Sequence, residues 1–292
     1  MRYKIFHTTS YSYAQTVSLL PHMLRLRPRC DVMQRLLHFQ LDIDPKPTNL
    51  SEMIDLDGNA IAQVWFDRPT HHLAVQASSE VETYCDNPFN YLLEPWATQL
   101  PIDYPASYLT QLQSYLNSGQ AYGQSIGQSI VDPIAMQLAQ ELRHDSQNWV
   151  VTFLSNLNER LYEECRYIIR EEGAPMPASI TWSRKEGSCR DLTVLFMEVC
   201  RAAGIGARFV SGYQEGDLDS TERHLHAWAE VYLPGAGWRG YDPTHGLAVS
   251  DRHIAIAASA LPIYTAPITG KLKSGNVHAS IEFTLSIQKI SE

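Results

Sequence analysis

The chain has 292 residues, 44% of them hydrophobic and 19% charged, with a formal net charge of -9. That length suffices for one large domain or two ordinary ones, and the composition excludes an intrinsically disordered chain. The acidic balance argues against sequence-independent nucleic-acid binding, which needs a basic surface to neutralise phosphates.

Met1 to His7 runs straight into a strand-like pattern, without the apolar stretch of a signal peptide. No run reaches the roughly 18 apolar residues of a membrane-spanning helix. The cysteines, at 30, 85, 165, 189 and 200, are odd in number and show no C-x-x-C pair. Such a set suits free thiols in a reducing compartment. The expectation is a cytoplasmic protein with no nucleic-acid or membrane partner.

Residues 1–84 read as an N-terminal β-domain. Leu24 and Leu26 alternate with Arg25 and Arg27, and Leu37, Phe39, Leu41 and Ile43 alternate with polar neighbours until Pro45. A half-buried strand gives that period of two, because successive side chains point to opposite faces. Asp57-Gly58-Asn59 marks a turn before the strand-like 61–66, and 72–83 supplies another strand. Several short strands with turns between them predict a β-sandwich.

Residues 85–145 form a connecting and helical segment. Pro88, Pro95, Pro101 and Pro105 punctuate its first part, and the Gly/Gln/Ser-rich 119–129 reads as a loop. The third region, 146–292, opens with Val150, Phe153, Leu154, Leu157 and Leu161 on one stripe, which predicts a helix over 146–164. Tyr167-Ile168-Ile169 reads as a strand or a helix end. A second helical stripe runs from Cys189 through Leu192, Leu195, Phe196, Val199 and Ala203, with Gly204 at the capping position. Strand-like runs follow at 207–213, 226–233, 238–242 and 279–287. The layout is α+β, a helix followed by antiparallel strands.

Three stretches could carry chemistry. Gly187-Ser188-Cys189-Arg190-Asp191 opens a helix, where the positive end of the dipole favours a thiolate and first-turn N–H groups are free. Gly187 leaves room for a substrate carbonyl. His226 begins a strand-like run, from which an imidazole can reach a neighbouring helix terminus as general base. Asp242 precedes Pro243, which stops a strand ladder. A carboxylate there can accept from the imidazole N–H and fix its tautomer.

These stretches, with Arg201-Ala202-Ala203-Gly204, Ser211-Gly212-Tyr213, His226-Ala227-Trp228-Ala229-Glu230 and Asp242-Pro243-Thr244, resemble the bacterial transglutaminase-like family. His7-Thr8-Thr9, Leu26-Arg27-Pro28-Arg29 and Asp57-Gly58-Asn59 are similar to that family's N-terminal β-domain. The chain departs from it at Leu192-Thr193, where an aromatic and a small residue are commoner. The resemblance implies a papain-like core with the Cys-bearing helix packed on an antiparallel sheet, and Cys189, His226 and Asp242 as a catalytic triad. The reaction so implied is acyl transfer on a peptide or protein substrate, with hydrolysis first and amine transfer or cross-linking second. A non-catalytic binding scaffold is the rival from another class, and it has no need of all three residues.

Cys30, Cys85, Cys165 and Cys200 read as small buried hydrophobes. Asp191 reads as a first-turn helix carboxylate, Arg208 as an ion-pair partner, Glu230 as a support to the site, and Trp182, Trp228 and Trp238 as core. His224 stands as the alternative base on the same strand face. No metal or cofactor is expected. His224 and His226 are the only histidines closely spaced in sequence in this region, and there is no D-x-D-x-D calcium loop.

Overall fold

The computed structural model describes residues 1–117, 131–170, 173–216, 225–273 and 277–290. The glycine-rich loop at 119–129, His224 and most of the acidic stretch before it lie outside the described residues. The first part is β structure: β1 (Arg2–Val17), β2 (His22–Leu24), β3 (Gln34–Asp44), β4 (Asn49–Ile54), β5 (Ala60–Trp65) and β6 (Thr70–Thr83). Gly58, at φ +78°, makes the turn between β4 and β5, and the Asp55 carboxylate accepts from the N–H groups of Asp57 and Asn59.

Helices dominate the middle: α1 (Ala106–Leu116), α2 (Pro133–Asp145), α3 (Val150–Glu164), α4 (Ala178–Arg184) and α5 (Cys189–Ala202). The two-residue strands β7 (Arg166–Tyr167) and β8 (Glu186–Gly187) pair in parallel and flank α4. Then come β9 (Ala207–Gln214), β10 (His226–Leu233), β11 (Gly237–Asp242), β12 (Leu247–Ala248), β13 (His253–Ser259), β14 (Ile268–Thr269) and β15 (Ala279–Lys289). Helix α3 starts later than its apolar stripe suggested. Gln147 and Asn148 adopt positive φ, so 146–149 is a tight turn and Ser146 caps α2 instead.

The core sheet is antiparallel, in the order β12-β11-β10-β9-β13. Helix α5 is buried along nearly its whole length, with Leu195, Phe196 and Val199 in one cluster with Phe153, Leu157 and Val231. Phe196 stacks on Tyr241 of β11 at 5.5 Å, which sets the helix against the sheet.

The sandwich has two four-stranded sheets, β15-β1-β6-β3 and β14-β2-β5-β4. Its interior is filled by Val17, Leu24, Leu26, Val64, Leu73 and Val75. Residues 279–287, read from sequence as part of the third region, 146–292, do not join its five-stranded sheet. Strand β15 pairs with β1 from Tyr3↔Lys289 to Tyr13↔Ala279, and β14 pairs with β2. Alternation marks a strand, but its partner is settled by long-range packing.

One face of the long β1 serves both halves of the molecule. Tyr3 and Ile5 pack with Tyr213 of β9 and Ile254 and Ile256 of β13, whereas Tyr11 and Tyr13 pack on the sandwich interior. Two side-chain amides also clamp β13, the edge strand of the core sheet. Asn59 Nδ2 donates to Ala258 O at 2.8 Å while Ala258 N–H donates to Asn59 Oδ1 at 2.8 Å. Gln34 exchanges the same pair of bonds with Ala255, at 2.9 and 2.8 Å. Each amide stands in for a strand residue and satisfies backbone groups that burial would otherwise orphan.

Candidate active site

Cys189 is the first residue of α5, with Ser188 as its N-cap. Asp191 organises this turn. Its Oδ2 accepts from Ser188 N–H at 2.8 Å and Ser188 Oγ at 2.7 Å, and its Oδ1 accepts from Met176 N–H at 2.7 Å and Arg170 Nη2 at 2.5 Å. Burial alone would raise this carboxyl's pKa, but those donors outweigh it and hold the group below its usual range. Asp191 is thus the helix-terminal carboxylate the sequence suggested. A Cβ on Gly187 would come within 2.9 Å of Asp191 Cβ and 3.0 Å of Thr181 Cγ2. That glycine makes room for the capping arrangement, rather than for a substrate carbonyl.

His226 opens β10 and Asp242 closes β11. The two strands pair with Ala229 opposite Tyr241, so continuing the register sets Asp242 opposite Trp228, on the sheet face that His226 shares. His226 Nε2 lies 2.8 Å from Asp242 Oδ2. With the proton on Nε2, Nδ1 is the nitrogen available to the thiol. Burial by itself would lower the His226 pKa. The Asp242 charge and hydrogen bond, joined by the Cys189 side chain, reverse that and raise it to about 10. Asp242 is fully buried, yet the imidazoles around it hold its pKa well below the ordinary carboxylate value.

Two further histidines reach this carboxylate. His245 Nδ1 is 2.9 Å from Asp242 Oδ2 and His253 Nε2 is 3.2 Å from it, while Thr244 N–H donates to Oδ1 at 3.0 Å. His253 is buried, and burial lowers its pKa although Asp242 pulls the other way. The sequence reading missed both. His245 stands three residues after Asp242 and could have been noticed; His253 comes from β13, where only the fold reveals the meeting. The ligand atoms of His226, Asp242 and His245 lie within 4.8 Å of one another, a grouping that close sequence spacing could not show. Its gaps of 2.8 and 2.9 Å to Asp242 are those of hydrogen bonds.

Cys189 and His226 line one cavity of about 240 Å³. Its walls include Tyr167, Ile169 and Arg170 on one side, and His7, Thr9 and Tyr11 of β1 with Phe283 of β15 on another. Among the remaining cysteines, Cys165 and Cys200 are buried as expected, and burial raises both pKa values, Cys165 to about 11. Cys30 is exposed and Cys85 half-buried, so the reading of those two as core residues is corrected. Cys30 sits in the β2–β3 connection and Cys85 just after β6, so neither lies within a strand or helix. Arg208 pairs with Glu230 at 2.6 Å and lies over the Trp238 ring. Glu230 is therefore occupied away from Cys189.

This architecture, a cysteine at a helix start packed on an antiparallel sheet bearing histidine and aspartate, is that of the transglutaminase-like superfamily. The chain belongs to it: residues 136–243 match the transglutaminase-like superfamily core, and residues 3–82 match the bacterial transglutaminase-like N-terminal region. An uncharacterized protein of Mycobacterium tuberculosis is 26% identical over 304 residues, covering 98% of this chain and 92% of its own. A protein-glutamine gamma-glutamyltransferase of Pseudomonas aeruginosa is 36% identical over 83 residues, 26% of this chain and 12% of that one. A solved structure from Cytophaga hutchinsonii, a candidate cysteine protease, superposes with a TM-score of 0.72 at 16% identity, covering 100% of this chain and 92% of the other. That likeness establishes the fold.

Proposed function

We propose that this protein is a thiol-dependent acyl-transfer enzyme acting on a peptide or amide carbonyl, with Cys189, His226 and Asp242 as its triad. The observation that carries this reading is the pairing of His226 Nε2 with buried Asp242, in the cavity that also holds Cys189 at a helix start. Cys189 attacks the carbonyl carbon as the thiolate, with His226 holding the proton. The tetrahedral oxyanion is stabilised by first-turn N–H groups of α5. His226 protonates the leaving amine, and a thioester remains on Cys189. Water, deprotonated by His226, releases the acid and restores the thiol.

Hydrolysis is the first reading, since the fold superposes on a candidate cysteine protease. Amine transfer is the second, favoured by the 83-residue similarity to the Pseudomonas glutamyltransferase. Five free cysteines fit a reducing compartment, and the reading assigns the enzyme to the cytoplasm. Among the described residues no helix is long and apolar enough to cross a membrane. The test is mass spectrometry after incubation with a mixed peptide and amine library. Cleaved or deamidated products support hydrolysis and cross-linked ones support transfer. Wild type and Cys189→Ala giving identical spectra would reject both.

A further inference from the structure

The cavity at Cys189 is not built by the catalytic core alone. Thr9 of β1 stands opposite Phe283 of β15 in the sheet, so the two side chains point the same way, into the cavity. His7 and Tyr11, two residues to either side of Thr9, share that face. Resting on the acyl-transfer reading above, we infer that this sandwich face forms the binding wall for the acyl donor, and that it selects an uncharged apolar or aromatic side chain next to the reacting carbonyl.

The wall is fixed. His7 Nδ1 is 3.0 Å from the Tyr213 hydroxyl of β9, and His7 Nε2 is 3.2 Å from Thr9 Oγ1. Strand β9 in turn pairs with β10, with Gly212 opposite His226. The wall and the imidazole are therefore held to the same strand. Tyr3 and Ile5, further along the same face of β1, are buried against Tyr213, Ile254 and Ile256, so the sandwich cannot shift without opening an apolar interface.

The wall is also uncharged. Burial depresses the His7 pKa to about 4, so at neutral pH the ring is neutral and both its nitrogens are already in hydrogen bonds. Beside it, Tyr11, Phe283 and Ile268 present aromatic and aliphatic surface. A carboxylate or ammonium seated there would lose water with no ion to replace it. Of the cavity's cationic groups, His226 is paired with Asp242, and Arg170 and Arg190 come from the segments around the Cys189 turn rather than from the sandwich. Arg170 is bonded to Asp191 and to Ala174 O, and Arg190 donates to the carbonyl of Arg170. Arg170 is thus paired with a carboxylate at the Cys189 turn, and Arg190 is tied by a hydrogen bond to the same segment.

The experiment uses the full chain and a series of N-acetyl-amino-acid 4-nitrophenyl esters carrying Phe, Leu, Gly, Asp or Lys. Acylation is read as nitrophenol release and as mass added to the Cys189 peptide. The Phe and Leu esters should acylate about tenfold or more faster than the Asp and Lys esters, the discrimination an apolar pocket gives. In Phe283→Asp the Phe-to-Lys ratio should fall by a similar factor, since a carboxylate then lines the wall. The wild-type profile tests the idea even if that variant fails to fold. Rates within about twofold across the series, or an Asp ester leading through the arginines, would overturn this inference while leaving acylation at Cys189 intact. No adduct at Cys189 with any ester would take down both this inference and the acyl-transfer reading.

Discussion

His253 Nε2 lies 3.2 Å from Asp242 Oδ2, the same oxygen that His226 and His245 approach at 2.8 and 2.9 Å. One carboxylate oxygen therefore holds three rings, and each must place a proton on the nitrogen that faces it. His253 is buried and does not line the Cys189 cavity, so an effect on Cys189 would have to pass through Asp242, as that of a positioning residue. His253→Ala should lower kcat by about 10- to 100-fold, because a carboxylate freed to rotate misaligns His226. His253→Gln keeps a donor near the same point and should recover most of that loss. Equal activity in His253→Ala and wild type across a pH series would remove the role.

Cys189→Ala and His226→Ala should each remove nearly all turnover, on the order of a million-fold by analogy with other nucleophile–base pairs that act as a unit. Asp242→Asn should cost less, since the carboxylate orients the base. Its amide would still turn donors toward rings that need an acceptor, so stability should also fall. Cys200→Ala should keep activity and lose about 1 kcal/mol to a small cavity, as Cys200 is fully buried. Kinetics on folded variants, checked by denaturant melts, decide it. Cys200→Ala losing as much turnover as Cys189→Ala would be incompatible with the assignment.

Stability should be greatest near pH 6 to 7, with three groups among those that shape the profile. His226 has its folded pKa raised from 6.5 to about 10, chiefly by Asp242 acting against burial. Its contribution is fully present below about 6.5 and is lost as pH rises from there through about 10. His7 is depressed from 6.5 to about 4 by burial, so its contribution is present above 6.5 and is lost as pH falls toward about 4. Asp242, also depressed, adds a further loss at still lower pH. Urea midpoints measured from pH 4 to 10 test this. Asp242→Asn should flatten the alkaline slope, and an unchanged slope in that variant would show that another group causes it.

The candidate site was legible because the features that single out Cys189, His226 and Asp242 are local to each one's stretch: a helix start, a strand start and a strand end before Pro243. Each signal depends on a few neighbouring residues. What stayed hidden depends on long-range pairing. Nothing in the alternation of 279–287 says that it lies beside β1, and nothing near His253 says that β13 carries it to Asp242. The seven-residue helix α4 is too short to show a periodic stripe. Asn59 shows the same limit in another way. Its Asp-Gly-Asn context announces a turn, but its reach to Ala258 across the domain boundary belongs to the folded molecule.

Activity should be independent of added metal, although His226, Asp242 and His245 form a cluster that could in principle hold one. Two ligands on one tetrahedral zinc stand about 3.3 Å apart, given bonds of about 2.0–2.1 Å. The Asp242 oxygen is instead 2.8 Å from His226 and 2.9 Å from His245, close enough for protons to occupy the gaps. Seating a zinc ion there would take His226 Nε2 out of its bond with Asp242, the bond that in the proposed mechanism prepares Nδ1 for the thiol. Zinc should therefore inhibit, and EDTA should leave turnover unchanged. Iodoacetamide should abolish turnover in step with modification of Cys189, whatever happens at the exposed Cys30. The decisive comparison is hydroxylamine trapping of the acyl-enzyme with and without chelator. Loss of trapping in EDTA, restored by calcium, would mean that a cation takes part in a step assigned here to His226 and the first turn of α5.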